Sequence, residues 1–290
     1  MKNSFHNTTE LIGLIGNPIK HSYSPFIHNV AIELTNLNYI YLPFNVPSAN
    51  LRNALKGVIA LGIKGFNVTV PHKVKILDYL NDLSEEAAMT GAVNTVVNEH
   101  GKLKGYNTDV NGVIETLIPF KEDITGSEIT IFGAGGGARS VIYVLIRNFK
   151  PKKINLINRT EHRALSIRSY FGDKMKFDSF YSFELFPPQI VDLIANSKLV
   201  VNATPIGMYP DIDDNITTIP ESFNDNQIVF DLVYNPVKTN LLKIAESRGA
   251  VILDGINMLV QQAAKSFKLW TGVEMPVNEV YKSLKLFIAK

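Results

Sequence analysis

The sequence predicts an α/β protein of two units, the second built on a doubly wound parallel sheet. Three observations carry that reading. Short apolar runs rich in β-branched residues alternate with amphipathic stretches from Glu10 onward. A glycine-rich turn, FGAGGGARS, follows the run EITI and opens a helical pattern. Ahead of it the alternation gives way to a hairpin pattern, AVNTVVNEHGKLKGYN, which closes the first unit.

Taken in order, ELIGLIG reads as a buried strand and SPFIHNVAIELT as a helix, with Ser24 as N-cap and Pro25 at the first helical position. Ile27, Val30, Ala31 and Leu34 fall on one face of it. YIYLPFNV is a strand, SANLRNALKGVIALG a helix and GFNVTV a strand. PHKVKILDYL continues as a helix from Pro71, and the hairpin turns near His100-Gly101. NGVIETLIPF is a bridging helix. In the second unit EITIF, KINLINRT, KLVVNATP, QIVFDLVY and AVILDG read as strands. EHRALSIRSYF and TNLLKIAESRG are helices, the latter ending at Gly249. Such alternation predicts a parallel sheet covered on both faces. Two closing helices, INMLVQQAAKSFKLWTG and VNEVYKSLKLFIAK, can pack on either unit. PDIDDNITT is a polar loop, and FPPQIVDLIANS, residues 186–197, has no evident role.

Composition removes several function classes. Among 290 residues 46% are hydrophobic and 19% charged, which suits a globular chain with a real core. A net charge of +2 gives no bulk attraction for nucleic acid or a membrane surface. The chain has no cysteine, so disulfides and thiolate metal sites are excluded. Six histidines show no metal-ligand spacing, and no metal is expected. The polar start MKNSFHNTTE and the lack of any run near the ~20 residues of a membrane span predict a cytoplasmic protein.

FGAGGGARS carries Gly133, Gly135 and Ala138 in a G-x-G-x-x-A pattern, with Ala134, Gly136 and Gly137 between them. In a strand–turn–helix context this is a dinucleotide site. The first glycine permits the turn and the second lets backbone approach a pyrophosphate. The small third residue lets the helix pack on the strand, and the helix N-terminus faces the phosphates. The acid that normally ends the next strand and binds the ribose 2′-OH is missing. Asn158, Arg159, Thr160 and Arg163 stand there instead, a set suited to a 2′-phosphate and hence to NADP. Glu161 dissents, as a competing ribose ligand that would admit NAD.

Small polar residues crowd the ends of the first unit's elements: Ser22 and Ser24; Asn67, Thr69 and Lys73; Asn94; Asp109. Ligands of open α/β sheets bind beyond the carboxyl ends of the strands, so these sets point to one cleft. Each also has a plainer reading. Ser24 and Asp109 suit helix caps, Asn67 and Thr69 strand-end hydrogen bonders, and Asn94 a turn. Lys73 suits a solvated helix, and His72 a surface position.

These residues, with FGAGGGAR, NRTEHR, NATPIGM and DGINMLVQQA, resemble the shikimate dehydrogenase family from Gly16 to about Ala264. The resemblance implies an N-terminal α/β substrate domain, residues 1–110 completed by 256–290, and a Rossmann-like NADP-binding domain, 111–255, with the C-terminal helices returning to the substrate domain. It implies reversible reduction of 3-dehydroshikimate to shikimate with NADPH. Ser22 and Ser24 would hold the substrate carboxylate, and Asn67, Thr69, Asn94 and Gln262 the ring hydroxyls. Lys73 and Asp109 would form the catalytic pair, with Tyr234 lining the cleft. The cofactor set extends to Thr204, Met208, Gly255 and Met258, with Gly207 beside Met208. Asn257 stands where the family usually has glycine. The chemistry needs a positioned proton donor and acceptor, which Lys73 can be, with Asp109 orienting it. The partner is a small molecule, and the protein a monomer or homodimer. The alternatives are a quinate/shikimate dehydrogenase that uses NAD, and a non-catalytic dinucleotide sensor. Retention of both Lys73 and Asp109 argues against the sensor.

Overall fold

The structure is a computed structural model that describes residues 6–216 and 219–289. Residues 1–5 of the polar start, Thr217 and Thr218 of the polar loop, and Lys290 lie outside the described residues. The chain divides into two compact units, Met1–Gly112 with Leu259–Lys290, and Val113–Met258.

The first unit contains β1 (Glu10–Gly16), α1 (Ser24–Leu34), β2 (Tyr39–Asn45), α2 (Leu51–Ala60), β3 (Gly65–Val68), β4 (Asp82–Leu83), α3 (Glu85–Thr90), β5 (Thr95–Glu99) and β6 (Lys102–Tyr106). Its sheet runs β2-β1-β3-β5-β6-β4. β1 is parallel to β2 and β3, whereas β5 is antiparallel to both β3 and β6. The β5–β6 hairpin turns through His100 (φ 54°) and Gly101 (φ 88°), the two positive angles of a tight two-residue loop. Because the chain reverses at β5 and again at β6, the start of β5 and the end of β6 reach the same edge as the carboxyl ends of β1 and β3. That edge holds the candidate polar residues. On one face of the sheet Phe66, Val96, Leu55, Ile76 and Leu103 form part of a buried core.

Three expectations about this unit change. Ser24 does not cap α1: the cap position is Tyr23, Ser24 begins the helix, and its hydroxyl pairs with Ser22 instead. The buried stripe of α1 is Ser24, Ile27, His28, Ala31 and Ile32, while Leu34 is 47% exposed. PHKVKILDYL does not form an α-helix. It makes a turn and then a short 3₁₀ stretch, Lys75–Tyr79, because tertiary bonds claim its first groups. The Lys73 carbonyl accepts from the Val93 amide at 2.8 Å, outside any helical ladder. α3 had too short a pattern to be expected. It is set by Ser84, whose hydroxyl accepts from the Ala87 amide.

α4 (Asp109–Leu117) leads from the first unit into the second, followed by α5 (Lys121–Ile124). The second unit continues with β7 (Glu128–Phe132), α6 (Gly136–Val144), β8 (Lys153–Asn158), α7 (Glu161–Met175), β9 (Phe180–Glu184) and α8 (Ile190–Ala195). It ends with β10 (Leu199–Asn202), β11 (Ile228–Asp231), α9 (Asn240–Ser247) and β12 (Val251–Leu253). All its strands are parallel, in the order β12-β11-β10-β7-β8-β9. The chain leaves β7 in one direction, then returns to place β10 on its other side. That reversal is the doubly wound switch point, beside which ligands of such sheets bind.

β9 and α8 were not expected. α8 is what the unassigned 186–197 stretch builds: Ile190, Leu193 and Ile194 enter the core, and Thr130 Oγ1 and Gln227 Nε2 donate to the Leu193 and Ile194 carbonyls. Its part is to cover the sheet.

α10 (Gly255–Thr271) and α11 (Val277–Ile288) close the chain, and residues from Leu259 onward belong to the first unit. Trp270 packs over Gly65, where an added Cβ would sit 2.3 Å from the indole nitrogen, and donates to the Val96 carbonyl at 2.9 Å. Phe287 stacks on Phe26 with centroids 4.3 Å apart. Among the described residues no helix is long and apolar enough to cross a membrane.

Candidate active site

In the first unit the polar residues gather at the sheet edge just described. β1 ends at Gly16, where a Cβ would lie 2.3 Å from Thr69 Cγ2, so these chain ends approach as only glycine permits. Ser22 Oγ donates to Ser24 Oγ at 3.2 Å, and the Ser24 amide donates to Ser22 Oγ at 3.3 Å. The two hydroxyls form one small polar patch at the start of α1. Thr69 is half-buried, one residue past the end of β3.

Lys73 Nζ donates to Asp109 Oδ2 at 2.5 Å, with Asp109 buried and Lys73 largely so. Asp109 Oδ1 accepts from Asn94 Nδ2 at 2.8 Å. Asn94 Nδ2 also lies 3.2 Å from Gln262 Oε1. Lys73, Asp109, Asn94 and Gln262 therefore form one bonded set drawn from four segments. Gln262, 7% exposed, does not face water as its late helix allowed, and Asn94, 3% exposed, is more than a turn residue. His72 is not at the surface. It is 1% exposed, and its ring Nε2–H donates to the Val46 carbonyl at 2.7 Å, which ties the Lys73 turn to the end of β2.

Asn67 is buried beside this set. Tyr41 Oη donates to its Oδ1 at 2.8 Å, and its Nδ2 reaches Thr95 Oγ1 at 3.0 Å and Ser266 Oγ at 3.1 Å. Sequence reasoning missed Tyr41, Thr95, Thr108 and Ser266. Thr108 had a signal, since it precedes Asp109 in a short polar run. Ser266 had none, being one serine in an amphipathic helix.

In the second unit the glycine turn follows β7 as expected. Gly133 has φ +105°, and a Cβ there would meet the Ala203 carbonyl oxygen at 2.9 Å. The turn thus packs on the segment after β10, at the switch point. Gly135 is exposed, and an added Cβ would meet nothing within 4 Å. The space before the α6 N-terminus is open for a pyrophosphate, which fits a dinucleotide. Ala134, Gly136 and Gly137 complete the turn, and Ala138 is fully buried under the helix.

Arg159, Thr160, Glu161 and Arg163 are all exposed at the end of β8 and the start of α7. Asn158 Nδ2 donates to the Thr160 carbonyl at 2.8 Å and shapes this corner. Among the described residues neither arginine is engaged in an ion pair, so both cations remain available to an incoming phosphate.

The NATPIGM segment is fixed by a network the sequence did not disclose. Asn202 Oδ1 accepts from the Thr204 amide and hydroxyl, and Asn202 Nδ2 donates to Asp231 Oδ1 at 2.9 Å. Asp231 also accepts from the Val233 amide at 3.0 Å and from Thr239 Oγ1 at 2.6 Å. Burial pushes the Asp231 carboxyl up to about 6, against the pull of these three donors. Met208 stands 37% exposed on this segment and Tyr234 is half-buried. Gly255 packs against the Leu232 carbonyl, 2.5 Å from where its Cβ would be, and Met258 is buried. Asn257 lies within α10 and donates to Thr116 Oγ1 at 3.1 Å, which ties α10 to α4. Among the described residues no cluster of three acidic or imidazole groups suits a metal ion.

Comparison with known proteins gives the chemistry a context. A family profile described as the shikimate dehydrogenase substrate binding domain matches residues 14–96, and one described as the shikimate 5'-dehydrogenase C-terminal domain matches residues 255–285. The shikimate dehydrogenase (NADP(+)) of Pelodictyon phaeoclathratiforme is 43% identical over 278 residues, 96% of this chain and 97% of that relative. A crystal structure of a shikimate dehydrogenase in complex with NADP+ is 39% identical, covers 99% of this chain and 98% of its own, and superposes with a TM-score of 0.88. The Listeria monocytogenes shikimate 5-dehydrogenase in complex with shikimate and NAD is 37% identical, covers 98% of this chain and 99% of its own, and gives 0.86.

Proposed function

The chain belongs to the shikimate dehydrogenase family, and we propose from that premise how its residues divide the family's reaction. The protein is an NADP-dependent oxidoreductase that reversibly reduces 3-dehydroshikimate to shikimate. The single observation that carries its mechanism is the Lys73–Asp109–Asn94 arrangement.

A dinucleotide held by the glycine turn 133–138 would supply the hydride in one direction and accept it in the other. Everything else falls to side chains. As the ring carbonyl is reduced its oxygen gains negative charge and needs a proton. Lys73 Nζ is the donor, and Asp109, held from the other side by Asn94, fixes where Nζ points. In oxidation Lys73 takes the hydroxyl proton back. Ser22 and Ser24, bonded mainly to each other, present hydroxyls to the substrate carboxylate at the positive end of α1. Asn67, Thr69, Asn94 and Gln262 read the ring hydroxyls, and Tyr234 is the further substrate-binding residue. A site built of hydrogen-bonding groups rejects analogues that lack the hydroxyls.

The first unit, expected as residues 1–110 with 256–290, is then the substrate-binding and catalytic domain, and the second, expected as 111–255, the NADP domain. Arg159 and Arg163 hold the 2′-phosphate, with Asn158 and Thr160 beside them. The glycine turn 133–138 holds the pyrophosphate. Thr204, Met208, Gly255 and Met258 frame the rest of the cofactor. Two exposed arginines outside any ion pair among the described residues favour NADP over NAD. The protein works on a small molecule in the cytoplasm, as a monomer or homodimer.

The test follows the absorbance of NADPH and of NADH with 3-dehydroshikimate, for wild type and Lys73→Ala. Oxidation of NADPH in preference to NADH, lost in the variant, is the expected result. No oxidation of either cofactor by wild type refutes the activity, and equal rates refute the assignment of the arginines.

A further inference from the structure

Beneath the candidate substrate residues lie three buried hydroxyls that no step of the reaction uses. Thr95 and Ser266 are 0% exposed and Thr108 is 2% exposed. Thr95 Oγ1 is 2.7 Å from Ser266 Oγ and 3.1 Å from Thr108 Oγ1, and Thr108 Oγ1 is 3.0 Å from Ser266 Oγ. Each comes from a different segment: the start of β5, the turn after β6, and α10.

Around this triangle the donors and acceptors can be counted. Asn67 Nδ2 has two hydrogens and faces three acceptors, the Asn94 carbonyl at 3.1 Å, Thr95 Oγ1 at 3.0 Å and Ser266 Oγ at 3.1 Å. Its Oδ1 accepts from Tyr41 at 2.8 Å and also faces the buried His28 imidazole, so the oxygen is the only part of this amide not already donating. Asn94 Oδ1 accepts from the Thr108 amide at 2.7 Å and lies within reach of the Thr108 and Thr95 hydroxyls. Its Nδ2 is thereby turned toward Asp109 Oδ1. Ser266 Oγ donates to the Gln262 carbonyl at 3.0 Å, which leaves its oxygen to accept from Asn67.

We propose that Thr95, Thr108 and Ser266 are positioning residues that lock the amides of Asn67 and Asn94 in one of their two orientations, so that Asn67 meets substrate only as an acceptor. The inference rests on the substrate reading above. An amide flipped at Asn67 would set its carbonyl against the Asn94 carbonyl, which cannot donate, and against two buried hydroxyls, of which Ser266 already donates to Gln262, which is costly. Held as it is, Asn67 can accept only from a group that donates. In this reaction that is a ring hydroxyl which stays a hydroxyl in both directions, not the position that becomes a ketone. A flipped Asn94 would present an oxygen to the Asp109 carboxylate. The triangle therefore also protects the orientation of the catalytic pair.

The experiment compares wild type, Thr95→Val, Thr95→Ser and Ser266→Ala. Valine keeps the shape of threonine without the hydroxyl, and serine keeps the hydroxyl. Thr95→Val and Ser266→Ala should raise the KM for shikimate about tenfold, the factor for loss of one buried hydrogen-bond partner. The KM for NADP+ should not change, and Thr95→Ser should restore the wild-type value. A second readout uses shikimate with fluorine, an acceptor that cannot donate, in place of either non-reacting hydroxyl. Wild type should discriminate against one of these analogues more strongly than Thr95→Val or Ser266→Ala does. In wild-type protein, with and without shikimate, the Asn67 side-chain NH₂ should exchange slowly with solvent by NMR. Fast exchange of that NH₂, or wild-type KM and discrimination in both hydroxyl-free variants, overturns the proposal. A wild-type protein that does not oxidise shikimate at all refutes the activity instead.

Discussion

Lys73 Nζ and Asp109 Oδ2 lie 2.5 Å apart, and the carboxylate is gripped from its other oxygen by Asn94 at 2.8 Å. The lysine is thus aimed by a group that is itself aimed. Lys73→Ala should lower kcat by about 10²- to 10⁴-fold, the usual worth of a positioned acid–base group. The shikimate dissociation constant, read by equilibrium titration, should move far less. A fall in affinity that matched the fall in kcat would make Lys73 a binding residue only.

Arg159 and Arg163 are exposed and free of ion pairs among the described residues. Replacing both with alanine should raise the KM for NADPH roughly ten- to a hundredfold, as expected for lost charge-assisted hydrogen bonds. The kcat and the KM for NADH should hold. Initial-rate kinetics with both cofactors decide it, and an equal loss with NADH would exclude a role at the 2′-phosphate.

The two glycines of the turn should fail differently. A Cβ on Gly135 meets nothing within 4 Å, so Gly135→Val should leave the melting temperature nearly unchanged while weakening NADP+ binding in calorimetry. A Cβ on Gly133 meets the Ala203 carbonyl at 2.9 Å with φ at +105°. Gly133→Val should lower stability as well, by about 1–3 kcal/mol for the backbone strain alone. Equal melting temperatures for the two variants would contradict this packing.

Two buried groups should give the stability opposite pH slopes. Burial holds the His28 imidazole down at about 3, against an ordinary 6.5. Below pH 6.5 the unfolded chain binds this proton and the folded one does not, so stability falls as pH falls toward 3. Burial holds Asp231 up at about 6, against 3.8. Between pH 4 and 6 the folded state binds that proton more readily, so stability falls as pH rises. Each slope is limited to about 1.4 kcal/mol per pH unit. His28→Phe keeps the stack on Tyr41, whose ring lies 4.3 Å away, and should gain stability relative to wild type as pH drops from 6.5 to 4. Asp231→Asn should lose relative stability over pH 6 to 4. Urea unfolding at several pH values tests both, and parallel curves for variants and wild type would show that neither group titrates as its burial requires.

Sequence and structure agree where local chemistry decides. The glycine turn stands at the strand–helix junction its pattern demands, and the hairpin turns at His100-Gly101, where two positive φ angles were needed. Departures occur where distant bonds override local preference. Lys73 lies in a turn because Val93 takes its carbonyl and His72 is drawn to Val46. Ser24 gives its hydroxyl to Ser22 rather than to a cap. The candidate catalytic residues were legible because each sits in a polar run at a strand end. Ser266, Thr95 and Asp231 were not, because a buried polar side chain is defined by partners far along the chain. Ser266 bonds Asn67 across 199 positions.

The first unit draws its final helices from residues after Leu259, beyond the whole of the second unit. On the ribosome the second unit is therefore complete while the first still lacks Gln262, Ser266 and Trp270. Until those residues emerge Gly65 has no indole above it, and the Val96 carbonyl and the Asn67 amide lack their last partners. The segment synthesised last finishes the site that the segment synthesised first began, so a nascent chain released at residue 258 carries an assembled second unit and a substrate site still without Gln262.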